Sequence, residues 1–433
     1  MRFLRTGEKA FDRYLLELEK RAAEDGRPLE EGVQSILEDV RRRGDRALLH
    51  YSRIFDGLRL QAEQLQIGAE EVREAYRRVP EALLGTLKKA VRRIRAFHQI
   101  WSREVSKELT EIGIRLIKLM RPLERVGIYV PGGKASYPST VLMASIPARI
   151  AGVKEIVMVT PPHRDGISPA IIVAADLGGI DRIFRIGGAQ AIAALAYGTA
   201  SVPRVDKIVG PGNRYVTAAK RLVYGAVDID MVAGPSEIVI VSDEKTPAAF
   251  LAADLIAQAE HDERALAVLI TPSEALGRGV AKEINDQLSR LERRAIAQEA
   301  LVRRGAILIV KDLHQAMELV NRIAPEHLEL AVSKPQALVR RLKHAGAVFV
   351  GPYTPVVIGD YLAGPNHILP TAGTARFSSP LGVEDFVKRI NLIGFSQEAL
   401  ASFREDLKRF TEWEGLQGHY QSVLQRTQKK CLK

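Results

Sequence analysis

Apolar positions recur at helical spacing through most of the first 120 residues. The pattern predicts helices over Phe11–Glu24, Leu29–Ile54, Glu70–Arg78 and Glu81–Arg103, punctuated by Gly44-Asp45 and Asp56-Gly57. Ile112–Met120 alternates apolar and polar residues as a strand does, and the apolar Val126–Val130 follows it. From there the pattern becomes strand, turn and helix in repetition. Strands at Glu155–Thr160, Arg182–Ile186, Val205–Val209 and Ile238–Val241 are separated by helices at Ser168–Leu177, Gln190–Tyr197 and Asn213–Val223. A second series holds a helix from Pro247 to Asp262, strands at Ala265–Thr271 and Ala306–Val310, and helices at Ser273–Gln298 and Leu313–Ile323. It ends in an alternating strand through Leu328, Leu330 and Val332 and a buried strand at Gly346–Gly351. Such alternation predicts parallel sheets covered by helices on both faces, an α/β fold. Tyr353–Pro380 is rich in glycine and proline and lacks periodicity, which predicts a long functional loop. Helical patterning resumes from Val383 and closes in a polar, basic helix around Glu414–Gln428.

At 433 residues, 46% of them hydrophobic, the chain is long enough for two or more domains. Its formal charge of +11 invites a polyanionic partner, but the bases are mostly interleaved with acids. The dense run Lys88–Arg95 is backed by Leu84, Leu87, Val91, Ile94 and Phe97, so it reads as the solvated face of an amphipathic helix. With 6% aromatics and no alternation of bases with aromatics, nucleic-acid binding is not expected. The single cysteine, Cys431, excludes an intrachain disulfide framework and a multi-cysteine zinc site, fits a reducing cytoplasm, and is a poor nucleophile so near the terminus. Met1–Gly7 lacks the apolar run of a signal peptide, and no stretch is long enough to span a bilayer, so a cytoplasmic protein with no membrane partner is expected.

Candidate chemistry gathers where regular pattern ends. Gln258 and His261 stand three residues apart at the close of a helical run, stacked on one side of its last turn, as a pair of metal ligands or as a solvated polar face. A divalent cation needs more donors, and Asp360 and His419 are later candidates. Pro325-Glu326-His327 sets a carboxylate beside an imidazole at an element boundary: ordinary turn residues, or an acid–base couple for moving protons around a hydroxyl or a water. Glycine-rich turns at Pro131–Gly133, Gly187–Gln190, Gly210–Asn213 and Gly234–Ser236 fall at strand ends, where backbone N–H groups can approach an anion. The standard G-x-G-x-x-G fingerprint is absent, so a dinucleotide would have to be held in a variant way.

Taken together, the motifs resemble the histidinol dehydrogenase family. They run in order through Arg43-Gly-Asp45, Phe55-Asp-Gly57, Gly127–Gly133, Thr140–Met143, Gly187–Leu195, Gly210–Asn213, Ala233–Glu237, Gln258–Asp262, Ala324–Leu328, Gly359–Tyr361, Asn366-His367, Leu369–Thr371 and Glu414–Leu416. The resemblance implies two incomplete Rossmann-like α/β domains with a helical N-terminal segment (1–25). One domain would take 26–125 with 238–380 and carry the metal and catalytic residues, and the other, 126–237, would bind NAD. A helical tail, 381–433, would reach the partner subunit of a homodimer. It further implies oxidation of L-histidinol to L-histidine through L-histidinal with two NAD+, at a site shared between subunits. Gln258, His261, Asp360 and His419 would hold one zinc per subunit, with His419 from the partner. Tyr129, Gln190 and Asn213 would bind NAD, while Ser236, His327 and Glu414 would join the metal ligands around the substrate, with Glu326 and His327 as the catalytic pair. The chain departs from the family's usual pattern at Val356, commonly glutamate, and at Gly418, often alanine. A relative acting on another small amino alcohol or polar diol is the alternative.

Overall fold

The computed structural model describes residues 1–21, 27–100, 106–132, 136–162 and 166–428. Gly133, His163 and Cys431, and the predicted helix ends at Glu24 and Arg103, lie outside the described residues. Among those described, the strands are β1 (Arg2–Arg5), β2 (Ser106–Glu111), β3 (Ile114–Pro122), β4 (Arg125–Tyr129), β5 (Glu155–Val159), β6 (Arg182–Phe184) and β7 (Lys207–Val209). They continue with β8 (Asp228–Ile229), β9 (Glu237–Ser242), β10 (Leu266–Thr271), β11 (Ala306–Ile309), β12 (His327–Ala331), β13 (Ala347–Val350) and β14 (Val387–Phe395). The chain divides into a large unit, 1–100 with 123–386, and a small one, 101–122 with 387–433.

The large unit holds two parallel sheets, in strand orders β6-β5-β4-β7-β8 and β1-β11-β10-β9-β12-β13. Inner strands such as β9 and β10 read as nearly unbroken apolar runs because both faces are buried. In the six-stranded sheet the alternation of side chains sorts the core into two layers. Val239, Val241, Leu328 and Leu330 pack on one face against Phe11, Leu15, Met317 and Val320, from the helices Lys9–Glu19 and Leu313–Ile323. Ile238, Ile240 and Ala331 pack on the other against Leu251, Leu255 and Val280, from the helices Ala248–Ala259 and Glu274–Leu288. One face of the five-stranded sheet is covered by Val33, Leu37 and Val40 of the helix Arg27–Arg43, together with the helices Gly188–Tyr197 and Arg214–Val223.

Several elements differ from the sequence expectation. The N-terminal segment opens with a strand, because β1 completes the edge of the six-stranded sheet beside β11. Leu29–Ile54 breaks at Gly44, whose φ of 55° interrupts the run between the helices Arg27–Arg43 and Asp45–Phe55. Pro138–Ala151 is a further helix whose residues are nearly all buried, so it shows no polar stripe to read. The loop Tyr353–Pro380 contains the short helix Val356–Tyr361. From Val383 the tail forms only a short 3-10 helix, Val383–Phe386, before the strand Val387–Phe395, which pairs antiparallel with β3; β3 also pairs with β2. The helices Gln397–Ser402, Arg404–Trp413 and Gln417–Thr427 complete the small unit, which leaves Ile393, Phe410 and Trp413 exposed. No helix among the described residues is long and apolar enough to cross a membrane.

Candidate active site

Glu326 and His327 stand at the amino end of β12, and both are buried. A single residue of the neighbouring strand holds them. The Glu237 N–H donates to Glu326 Oε2 (2.7 Å), and the Glu237 carbonyl lies 2.9 Å from His327 Nδ1. A carbonyl can only accept, so Nδ1 carries the proton and Nε2 keeps its lone pair. Burial, reinforced by His261 and His367 nearby, lowers the His327 pKa to about 4, so the ring is uncharged at neutral pH. Burial also pushes the Glu326 carboxyl well above the usual carboxylate range, and the carboxylates of Glu237 and Asp360 add to that push. The two side chains are close, with His327 Nδ1 3.6 Å from Glu326 Oε2. A neutral imidazole and a high-pKa carboxyl side by side are the groups an acid–base reaction needs.

Gln258 is buried in the last turn of the helix Ala248–Ala259, and the His261 N–H donates to its carbonyl (3.3 Å) as the chain leaves that helix. Asp360 sits on the helix Val356–Tyr361, its pKa raised to about 6 by burial. Gly359 lets that helix lie close, since a Cβ there would meet Phe349 of β13 at 2.6 Å, and the Phe349 ring lies 6.0 Å from that of His327. His367 donates from Nδ1 to the Asp360 carbonyl (2.8 Å) and takes the Thr140 hydroxyl at Nε2 (3.3 Å), so both its nitrogens are engaged. Asn366 fixes this loop by donating to the Met143 carbonyl (2.7 Å) and accepting from the Ile368 N–H (2.9 Å). Among the described residues no three His, Cys, Asp or Glu side chains form a finished metal cluster. The donor types nevertheless suit zinc: an amide oxygen, an imidazole kept neutral by burial, and a carboxyl whose raised pKa a cation would relieve. Val356 is buried in the apolar layer beneath.

The expected cofactor residues lie on the five-stranded sheet. Tyr129 ends β4, and its hydroxyl accepts the Gly188 N–H (3.2 Å); burial raises its pKa to about 12. Gln190 is in the first turn of the helix Gly188–Tyr197, and its buried Oε1 finds no hydrogen-bond partner among the described residues. Asn213 caps the helix Arg214–Val223, its Oδ1 taking the N–H groups of Tyr215 and Val216. Charges that the sequence did not single out hold the turn before it. Lys220 and Asp230 form a buried ion pair; Lys220 also donates to the Gly210 carbonyl (2.9 Å), and Asp230 accepts the Gly210 N–H (2.7 Å). Gly210 has a φ of 107° and presses against the Tyr129 carbonyl, leaving no space for a Cβ.

One cleft is lined by Gly210, Asp230, Gly234, Ser236, Glu326 and His367. It joins the carboxyl end of β7 to the amino ends of β9 and β12. The turns at Pro131, Gly187 and Gly210 therefore follow strands, whereas Gly234–Ser236 precedes one, leading from the five-stranded sheet into the six-stranded. Glu414 and His419 belong to the small unit, where both are exposed, Glu414 at the end of the helix Arg404–Trp413 and His419 on Gln417–Thr427 with Gly418 beside it.

Comparison with known proteins bears on the family and the fold. Residues 19–427 match the family described as histidinol dehydrogenase. The chain is 54% identical over 395 residues to a histidinol dehydrogenase of Syntrophotalea carbinolica, covering 91% of this chain and 92% of that one. Against one from Geobacter sulfurreducens the identity is 51% over 426 residues, covering 98% and 99%. The fold matches the crystal structure of histidinol dehydrogenase from Elizabethkingia anophelis with a TM-score of 0.92, at 34% identity and across 98% of both chains. On these matches, the chain belongs to the histidinol dehydrogenase family.

Proposed function

We propose that this chain oxidises L-histidinol to L-histidine through L-histidinal, reducing two NAD+, the last two steps of histidine biosynthesis. Family membership over almost the whole length supports histidinol over other amino alcohols or diols. One observation carries the chemistry: His327 donates a hydrogen bond from Nδ1–H to the Glu237 carbonyl, so Nε2 keeps its lone pair as base. In the first half-reaction Nε2 takes the hydroxyl proton as the carbinol hydride leaves to NAD+, giving the aldehyde and NADH. In the second, Glu326 takes a proton from water as the water oxygen bonds to the aldehyde carbon, and His327 returns its proton to the carbonyl oxygen, which forms the hydrate and frees Nε2 again. The hydrate then loses a hydride to the second NAD+ and a hydroxyl proton to His327, giving the acid. The raised Glu326 pKa makes its ionised form a strong base for that water.

Tyr129, Gln190 and Asn213 would hold NAD; the orphaned Gln190 Oε1 is an acceptor in want of a donor. Gln258, His261, Asp360 and the partner subunit's His419 would hold one zinc per subunit, with Ser236, His327 and Glu414 against the substrate. When bound, the metal would serve as a template that fixes the substrate's imidazole and amino nitrogens. The reading includes a cytoplasmic homodimer: the apolar side chains exposed on the small unit and the outward position of Glu414 and His419 support a tail that completes a neighbour's site. The test is NADH absorbance with purified protein, histidinol and NAD+. Two NADH per histidinol consumed are expected; one, or none, would sink the reading.

A further inference from the structure

Strand geometry separates two faces of Glu237. Its backbone holds Glu326 and His327, but its side chain shares the sheet face of Val239 and Val241, away from Ile238 and the helix Ala248–Ala259. On that far face the Glu237 carboxylate meets Arg21 in a two-pronged pair, Nε to Oε1 at 2.5 Å and Nη2 to Oε2 at 2.9 Å. Arg21 also donates to the carbonyls of Leu18 (2.6 Å) and Ile323 (2.8 Å). The two side chains are only 6% and 4% exposed. A buried ion pair is weak evidence for stability, because desolvation offsets most of the attraction, so its presence behind the reacting groups calls for another account.

We propose that Arg21, acting through Glu237, is a positioning residue for the Glu326–His327 pair. The guanidinium ties three segments together: the end of the N-terminal helix, the first residue of β9, and the carbonyl that ends the helix Leu313–Ile323, three residues before Glu326. The loop at Gly373 closes over it, a Cβ there lying 3.4 Å from Arg21 Nη1. That loop carries Thr371, whose hydroxyl accepts the Gly234 N–H (2.5 Å) on the cleft side. Fixing the Glu237 side chain fixes the orientation of the peptide groups on either side of its Cα. One supplies the N–H that holds Glu326 and the other the carbonyl that sets the His327 tautomer. Arg21 itself touches no substrate, being on the wrong face of the sheet.

The inference rests on the proposed reaction, and wild-type turnover of histidinol is the control that separates the two: no turnover there defeats the reaction and not the clamp. With the wild type active, kcat and KM for histidinol and NAD+ are measured for Arg21→Met, Arg21→Lys and Glu237→Gln in the dimeric, metal-loaded enzyme. The clamp predicts kcat lowered about tenfold or more in Arg21→Met and Glu237→Gln, with both KM values within about twofold, since substrate contacts are untouched. Arg21→Lys keeps the charge without the fork and should fall between, and it serves if Arg21→Met does not fold. Wild-type kcat in folded Arg21→Met or Glu237→Gln, with only the melting temperature lowered, would reduce the pair to a structural role and overturn the inference. So would a loss carried by KM alone, or an Arg21→Lys enzyme equal to wild type.

Discussion

Glu329 and Asp254 meet carboxyl to carboxyl one step behind the candidate active site. Glu329 lies two residues beyond His327 on β12, and Asp254 lies one turn before Gln258 on the helix Ala248–Ala259. The two side chains hydrogen-bond to each other, which requires a proton between them, and burial together with the neighbouring Asp254 carboxylate pushes the Glu329 pKa strongly upward. Because β12 alternates, Glu329 faces the same helix that carries the Gln258 ligand candidate.

That shared proton makes stability depend on pH. The folded chain keeps at Glu329 a proton that the unfolded chain releases above the ordinary glutamate range. Its contribution is therefore full at low pH and is lost as pH rises through the raised value. Glu329→Gln keeps a donor for Asp254 at any pH. Melting temperatures from about pH 5 to about pH 9 should fall less steeply in the variant than in the wild type; parallel slopes would remove the shared proton from the account.

Glu326 and His327 should separate by half-reaction. Glu326→Gln preserves shape and the contact to the Glu237 N–H but cannot take a proton, so histidinal oxidation should slow about a hundredfold while histidinol oxidation to histidinal changes only a few-fold. His327→Asn should lower both, by about 10²- to 10⁴-fold. Rapid-mixing traces of NADH from each substrate distinguish them, and equal losses in Glu326→Gln would deny that residue a role of its own.

Gly210 tests the cofactor side. A methyl group there meets the Tyr129 carbonyl, and alanine is strained at a φ of 107°, a cost of about 1–3 kcal/mol. Gly210→Ala should raise KM for NAD+ well above its effect on KM for histidinol. A variant with unchanged NAD+ kinetics would place the cofactor away from this turn.

The shared site is open to complementation. Neither His419→Ala nor Glu326→Gln should complete histidine formation alone, yet dissociated and re-mixed subunits should recover about a quarter of the wild-type sites, because half of each mixed dimer would hold both intact residues. No recovery in verified heterodimers would mean that each chain builds its site from its own tail.

Much of the parallel-sheet alternation and the juxtaposition of Glu326 with His327 could be read from the chain, because buried strands are unbroken apolar runs and the two residues are adjacent. What stayed hidden depended on partners far away in sequence. The four residues of β1 become a strand only against β11, some three hundred positions on, and Val387–Phe395 only against β3. The helix Pro138–Ala151 hides for the opposite reason, being buried nearly all round and so without a polar stripe. Likewise Arg21, Lys220, Asp230 and Asp254 look like ordinary surface charges until folding sets them against Glu237, Gly210 and Glu329. Spacing gave Gln258 and His261 as a pair but could not say what else stands near them.

The polarity of the six-stranded sheet bears on how the scaffold could be re-engineered. The proposed chemistry sits where β9 and β12 begin, so the opposite rim, where Ser242, Ala331 and Val350 end their strands, is remote from Glu326 and His327. Glu244 and Lys245 on that rim are exposed, and a fluorescent reporter or affinity handle grafted there should leave turnover intact, whereas the same graft between Gly234 and Glu237 should silence the enzyme.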